Sequence, residues 1–120
     1  NTTRNALDLL YNIGKQQIPV VKGSNHLIKG EMDMATHMHG SDGLGGVEIP
    51  RSPESAITEK GFEFIHKIIM SQPGQITWAN TGSLTNLCLI LREFPDLLTK
   101  FKRIVIMGGS TGRGNRTPAA

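Results

Sequence analysis

A glycine-rich segment near the end of the chain is the first candidate for chemistry. The apolar run "IVIM" leads into "GGSTGRGN", which ends at Asn115. Backbone amides in such loops can bind phosphate, but the residue order fits neither common fingerprint. A P-loop needs a lysine after its last glycine, and the dinucleotide motif must open a helix. A phosphate loop and a plain turn therefore both stay open. Asn115 is the side chain best suited to bind a hydroxyl, because its amide both donates and accepts.

Two histidines, His37 and His39, stand two residues apart in "THMHG". On a strand they would share a face and could bind a transition metal. The surrounding sequence indicates a loop, however, and no cysteine or third histidine stands nearby at ligand spacing. A plain polar role and a proton-transfer role for one histidine both stay open, since imidazole titrates near neutrality.

The other chemical signals are weak, and several classes of function can be excluded. Cys88 is the single cysteine, which excludes an internal disulfide framework and a cysteine zinc site; its apolar helical stripe places it in the core. The net charge is +3, and no aromatic residues interleave with the arginines of "GRGNR", so we expect no nucleic-acid partner. No apolar stretch approaches a membrane span. We expect a cytoplasmic protein.

Helical and strand patterns alternate along the chain and would position these residues. The apolar positions Ala6, Leu9, Leu10 and Ile13 follow a helical period. Helices are predicted from "TTRNALDLLYNIG", "SAITEKGFEFIHKIIMSQP" and "SLTNLCLILREF", the last capped by Ser83, with a short turn in "PDLLTKF". Strands are predicted from "IPVVKG", "QITWAN" and "RIVIM".

Strands that alternate with helices predict an α/β fold, with a mostly parallel sheet flanked by helices. We expect a single domain over residues 1–120, with a long loop at about 24–54 that is a candidate binding loop. In open parallel sheets, ligands bind beyond the carboxyl ends of the strands. Two such ends are informative, where "ITWAN" enters "TGSLTN" and where "IVIM" enters "GGSTGRGN".

Four segments, taken together and in order, resemble the inosine-uridine preferring nucleoside hydrolases. They are "TTRNAL", "THMHGSDGLGG", "TGSLTN" with its following helix, and "IVIMGGSTGRGNRTPAA". The resemblance runs through nearly all of the chain and implies a partial nucleoside hydrolase-like fold. It also implies a calcium-dependent N-ribohydrolase, which cleaves the N-glycosidic bond of purine or pyrimidine nucleosides to give ribose and a free base.

The same resemblance implies roles for four residues. Thr81 matches a threonine whose backbone carbonyl binds calcium. Met107 matches a methionine packed near the sugar, and Asn115 matches an asparagine that contacts the ribose 5′-hydroxyl. His39 matches a loop histidine close to the base, a catalytic position in some members. The implied partner is a nucleoside such as inosine or uridine, and the family is compatible with a homo-oligomer.

The chain departs from the family pattern in two small ways and one serious way. Asn80 is an unusual neighbour of Thr81, and Ser83 stands where proline or glycine is common. The family's D-x-D-x-x-x-D-D cluster, which supplies metal ligands and the general base, has no counterpart, nor has its E-F-N segment after "PAA". We therefore expect an internal fragment that is inactive alone. A non-catalytic nucleoside-binding fragment and a remnant without independent function are the alternatives.

Overall fold

The fold is described from a computed structural model of the chain, which describes residues 2–30 and 36–112. The residues fall into two compact units, Asn1–Gly61 and Phe62–Ala120. No helix within the described residues is both long and apolar enough to cross a membrane. The elements are helices α1 (Thr2–Asn12), α2 (Thr36–His39), α3 (Gly61–Ser71) and α4 (Thr85–Glu93), a 3-10 helix (Pro95–Thr99), and strands β1 (Thr77–Asn80) and β2 (Arg103–Ile106).

Helix α1 confirms the first predicted helix but buries a different face. Gly14 follows it with a positive φ of 68°, as a helix-ending glycine does. The buried residues of α1 are Leu7 and Asp8, whereas Leu9 is 46% exposed and Ile13 lies beyond the helix at 67% exposed. The predicted apolar face was therefore wrong, and the reason lies in the contacts of Asp8.

Asp8 is a buried carboxylate, only 2% exposed, that ties α1 to the segment around Ser52. Its oxygens accept hydrogen bonds from the Arg4 guanidinium, from the Ser52 amide at 2.8 Å, and from Arg51 Nη1 at 3.1 Å. Arg4 also donates to the Ser52 carbonyl at 2.7 Å. The hydrogen bond from Arg4 is the main cause that lowers the pKa of Asp8 to about 2. These bonds determine which face of α1 is buried.

The predicted strand in "IPVVKG" was wrong, because only one residue of it pairs. Val21 forms an isolated parallel bridge with Ile57, through hydrogen bonds from Ile57 N to Val20 O and from Lys22 N to Ile57 O. Pro19 has no amide to extend that pairing. Within the described part of the predicted 24–54 loop, α2 is the one regular element. A single domain over residues 1–120 stays a prediction.

The second unit contains the parallel strand pair that the alternating pattern predicted. Strands β1 and β2 pair in parallel, from Thr77 opposite Arg103 to Asn80 opposite Ile106. Between them in sequence lie α4 and the 3-10 helix, as in a βαβ unit. Four residues from α3, α4 and the 3-10 helix form the buried core: Ile69, Leu87, Ile90 and Leu97. This unit therefore holds the two strand ends in register.

Helix α4 differs from its prediction at its start and in its buried face. Its N-cap is Leu84, with no side-chain capping bond, while Ser83 Oγ donates to Thr85 Oγ1 at 3.2 Å. The predicted cap at Ser83 was wrong. Cys88 is exposed, so its placement in the core was wrong as well. The sequence "LCLIL" is apolar on nearly every side, so the helical period alone could not select the buried stripe.

Candidate functional site

Thr81 and Met107 lie next to each other at the carboxyl ends of β1 and β2. Asn80 pairs with Ile106 in the strand register, and the Met107 amide donates to the Asn80 carbonyl at 2.9 Å. Thr81 and Met107 are the residues that follow this last pair. Both are exposed, Met107 at 67%. The two strand ends therefore meet at one edge of the strand pair, whereas the functional roles of the two residues stay predictions.

Asn80 holds the turn that carries Thr81. Asn80 is buried, with only 7% of its surface exposed. Its Nδ2 donates to the Gly82 carbonyl at 2.5 Å and reaches the Ser83 carbonyl at 3.4 Å. Its backbone carbonyl accepts from Met107. Asn80 therefore connects the Thr81 turn and the end of β2. The sequence marked Asn80 only as unusual, although asparagine commonly bonds to the backbone of a following turn.

The stability of this turn should depend on the Asn80 side chain. Asn80→Ala should lower the free energy of unfolding by roughly 1–2 kcal/mol, because it removes three hydrogen bonds of a buried amide, two donated by Nδ2 and a long one accepted from Trp78 Nε1. Urea denaturation of the chain would measure the loss. Gln75→Ala is the matched control, since Gln75 is an exposed amide just before β1. An Asn80→Ala effect no larger than that of Gln75→Ala would contradict the assigned role.

His39 is the last residue of α2, in the first unit, and is exposed. His37 lies two residues earlier in the same helical turn, and residues at that spacing do not face each other. The strand-like geometry that would let the pair bind one metal is therefore not formed. Gly40 ends the helix with a positive φ of 74°, and the His39 carbonyl accepts from the Gly45 amide at 2.9 Å.

The segment after His39 closes on Asp42, which no sequence pattern had singled out. We call residues 40–46 the Asp42 loop. The Leu44 amide donates to Asp42 Oδ1 at 2.9 Å, and the Gly46 amide donates to Oδ2 at 3.1 Å. The hydrogen bond from Leu44 is the largest cause that lowers the pKa of Asp42. Asn5 of α1 donates to the Asp42 carbonyl at 2.7 Å. The "SDG" triplet was the available signal, since aspartate favours such turns.

An open cleft of about 320 Å³ lies beside the Asp42 loop. It is lined by residues of α1, of the Asp42 loop and of the following segment: Asn5, Asp8, Asp42, Leu44, Val47, Glu48, Ile49 and Arg51. The carboxylates of Asp8 and Asp42 both accept hydrogen bonds from backbone amides of the chain. These two residues therefore do not provide a pair of free carboxylates that could act as general acid and general base.

Calcium requires more ligands than the described residues bring together. Calcium binds about six to eight oxygens, and Thr81 would offer one backbone oxygen. Within residues 2–30 and 36–112, no group of three or more histidine, cysteine, aspartate or glutamate residues could hold a metal ion. These residues alone therefore do not fit a calcium ion. Asn115, the predicted ribose ligand, lies outside the described residues, as does the end of the glycine-rich segment.

Comparisons with known proteins agree with the resemblance seen in the sequence. The family described as inosine-uridine preferring nucleoside hydrolase matches residues 1–120. The pyrimidine-specific ribonucleoside hydrolase RihA of Citrobacter koseri is 38% identical over 119 residues, which are 99% of this chain and 38% of that protein. The probable uridine nucleosidase 1 of Oryza sativa subsp. japonica is 37% identical, over 100% of this chain and 38% of that protein.

Solved structures give the same result for the fold. The purine-preferring ribonucleoside hydrolase from Gardnerella vaginalis superposes with a TM-score of 0.86 at 32% identity, over 96% of this chain and 38% of that chain. The plant nucleoside hydrolase PpNRh1 superposes with a TM-score of 0.87 at 35% identity, over 98% and 38%. The predicted α/β fold class is confirmed. The chain spans about 38% of the length of these relatives, and it belongs to the inosine-uridine preferring nucleoside hydrolase family.

Proposed function

We propose that this chain is part of an N-ribohydrolase that cleaves the N-glycosidic bond of nucleosides with water. The observation that carries the proposal is the family match over residues 1–120. The adjacency of Thr81 and Met107 at the carboxyl ends of β1 and β2 supports it, because ligands of parallel α/β sheets bind at such ends. The products are ribose and a free purine or pyrimidine base.

The residues of this chain would act mainly in substrate binding. Met107 is an exposed apolar side chain at the strand end, which suits packing against the carbon face of a sugar. Asn115 is proposed to bind the ribose 5′-hydroxyl, since its amide can both donate and accept. His39 is proposed to lie near the base and to give it a proton as it leaves, which imidazole can do near neutral pH.

We propose calcium as the cofactor of the complete enzyme, with the Thr81 carbonyl as the ligand from this chain. A bound calcium ion would orient hydroxyl groups and lower the pKa of a coordinated water. Its carboxylate ligands would have to come from outside residues 2–30 and 36–112, because those residues do not form such a site. The 120-residue chain alone is therefore proposed to be inactive.

Base release from inosine and uridine tests this proposal. A full-length protein that contains this chain should release base with calcium present, and should lose that activity in excess EDTA and regain it when calcium is restored. The 120-residue chain should release none under the same conditions. Base release by the isolated chain would contradict its proposed inactivity, and activity that survives EDTA would contradict the role of calcium.

The preferred base is best stated as a class. The names of the relatives include a pyrimidine-specific hydrolase, a non-specific hydrolase and a purine-preferring hydrolase. All share a nucleoside substrate, so we propose nucleosides of either base class, with the preference measured as a ratio of kcat/KM values.

A cytoplasmic location and a homo-oligomer are also proposed for the protein. The lone cysteine is compatible with a reducing compartment, and light scattering would determine the oligomeric state.

A second candidate function applies to the isolated chain. It is a nucleoside-binding fragment without turnover, favoured by the lack of a metal-binding cluster among the described residues. Calorimetric titration of the chain with inosine would distinguish the two. Heat of binding without base release would support the fragment, and the absence of both would exclude it.

A further inference from the structure

We propose that Asp42, held in place by Asn5, is a positioning residue for His39. This inference rests on the proposed function, in which His39 lies near the base. Asp42 would not touch the substrate. Asp42 would fix the position of the His39 backbone, and replacing Asp42 would reduce catalysis by displacing the His39 side chain.

The Asp42 carboxylate closes the loop from within. Its Oδ1 accepts from the Leu44 amide at 2.9 Å, and both of its oxygens accept from the Gly46 amide, at 3.3 and 3.1 Å. Hydrogen bonds from backbone amides to a carboxylate are charge-assisted, and they are stronger than neutral hydrogen bonds. The negative charge of Asp42 therefore stabilises the Asp42 loop.

This closure reaches His39 through the backbone. Gly45 lies between the two residues whose amides bind Asp42, and its own amide donates to the His39 carbonyl at 2.9 Å. The peptide group that follows His39 is thus bonded to the part of the loop that Asp42 holds. A side chain at Gly40 would crowd the carboxylate, because its Cβ would lie 3.0 Å from Asp42 Oδ1.

Asn5 attaches the closed loop to α1. Its Nδ2 donates to the Asp42 carbonyl at 2.7 Å. Gly43 allows this approach, since it has a φ of 76° and a Cβ there would lie 3.1 Å from Asn5 Nδ2. Asp8, one turn along α1, is bonded to Ser52 and Arg51. A series of hydrogen bonds therefore leads from the body of the first unit to His39.

The same contacts exclude another function for this glycine-rich loop. A phosphate cradle needs backbone amides that are free to point at the ligand. In the Asp42 loop, the amides of Leu44 and Gly46 point at Asp42, and that of Gly45 points at the His39 carbonyl. A phosphate would also meet the Asp42 carboxylate, whose charge it would repel. The amides of Leu44, Gly45 and Gly46 therefore stabilise the loop and are not available to bind a phosphate.

A double-mutant cycle in the full-length protein that contains this chain tests the proposal. We expect Asp42→Ala to lower kcat/KM for inosine or uridine by about 10- to 100-fold, because small displacements of a catalytic group cost about that much. Asp42→Asn keeps one acceptor oxygen for Leu44 and should fall between wild type and Asp42→Ala. His39→Ala should have a similar or larger effect, and adding Asp42→Ala to it should cost less than about two-fold more.

Each outcome decides a different claim. A folded wild-type protein without base release would contradict the proposed function itself. Given active wild type, a folded Asp42→Ala variant within two-fold of it, or an effect that multiplies that of His39→Ala, would overturn the positioning role. If Asp42→Ala does not fold by circular dichroism, Asn5→Ala and Asp42→Asn enter the same cycle with His39→Ala. Glu59→Gln is the control, since Glu59 is an exposed carboxylate of the same unit, and it should leave kcat/KM unchanged.

Discussion

Replacing Ile90 with alanine is expected to destabilise the second unit by about 2–5 kcal/mol, as large-to-small substitutions in a tight core do. Ile90 is fully buried in α4 and packs with Ile69, Leu87 and Leu97. Trp78 of β1 and Ile104 of β2 lie against this cluster. The cavity left by the missing Ile90 side chain would therefore lie beneath β1 and β2, the strands that lead to Thr81 and Met107.

Urea denaturation followed by the fluorescence of Trp78, the single tryptophan, would measure this loss. Ile90→Val is the matched control, because it removes one methylene and should cost only about 0.5–1.5 kcal/mol. Cys88→Ala on the exposed side of the same helix should have a smaller effect than Ile90→Ala. Equal effects for Ile90→Ala and Cys88→Ala would show that the assigned core face of α4 is wrong.

Asp8→Asn is expected to lower stability more than replacement of any other acidic residue among those described in the first unit. The carboxylate accepts from Arg4, Arg51 and the Ser52 amide while buried. The variant removes the charge that both arginines pair with. The Asp8 carboxylate is the buried member of each pair, and hydrogen bonds to a charged group contribute more to stability than neutral ones. Thermal unfolding at pH 7, followed by circular dichroism, should show a clearly lower midpoint than wild type.

The pH dependence of that difference has a definite sign. The pKa of Asp8 is lowered from 3.8 to about 2, chiefly by the hydrogen bond from Arg4. The ionised form therefore stabilises the folded chain above the unfolded pKa, and that stability is lost as the pH falls through the folded pKa. The midpoints of wild type and Asp8→Asn should converge between pH 3.8 and 2. Glu59→Gln is the exposed control, and a difference for Asp8→Asn that does not change with pH would contradict this assignment.

The helices and the parallel strand pair were predictable because their signals are local. The period of apolar residues indicated α1, α3 and α4, and β-branched runs indicated β1 and β2. The rule that ligands bind beyond the carboxyl ends of parallel strands also pointed to the ends of β1 and β2, which the register from Thr77 to Asn80 opposite Arg103 to Ile106 brings to one edge. Local patterns therefore gave the fold class and the edge at which to look for a site.

The contacts that tie loops to helices could not be predicted, because they join distant residues. Asp8 meets Ser52 across 44 positions of sequence, and Asn5 meets Asp42 across 37. These polar bonds decided which face of α1 is buried, against its apolar pattern. The predicted strand around Val21 is reduced to a single bridge with Ile57, which is 36 positions away in sequence. The predicted roles of His39, Met107 and Asn115 came from family resemblance, because local chemistry marked Asn115 only as suited to bind a hydroxyl and could not choose between His37 and His39.

The most direct test of the central claim is the sugar product formed by the full-length protein that contains this chain. A nucleoside hydrolase transfers the ribosyl group to water, so ribose and free base should appear in equal amounts from inosine or uridine in phosphate-free, calcium-containing buffer. Adding phosphate should not raise the rate or change the product. A protein that releases no base, or releases it only with phosphate and as a sugar phosphate, would contradict assignment of this chain to a working N-ribohydrolase.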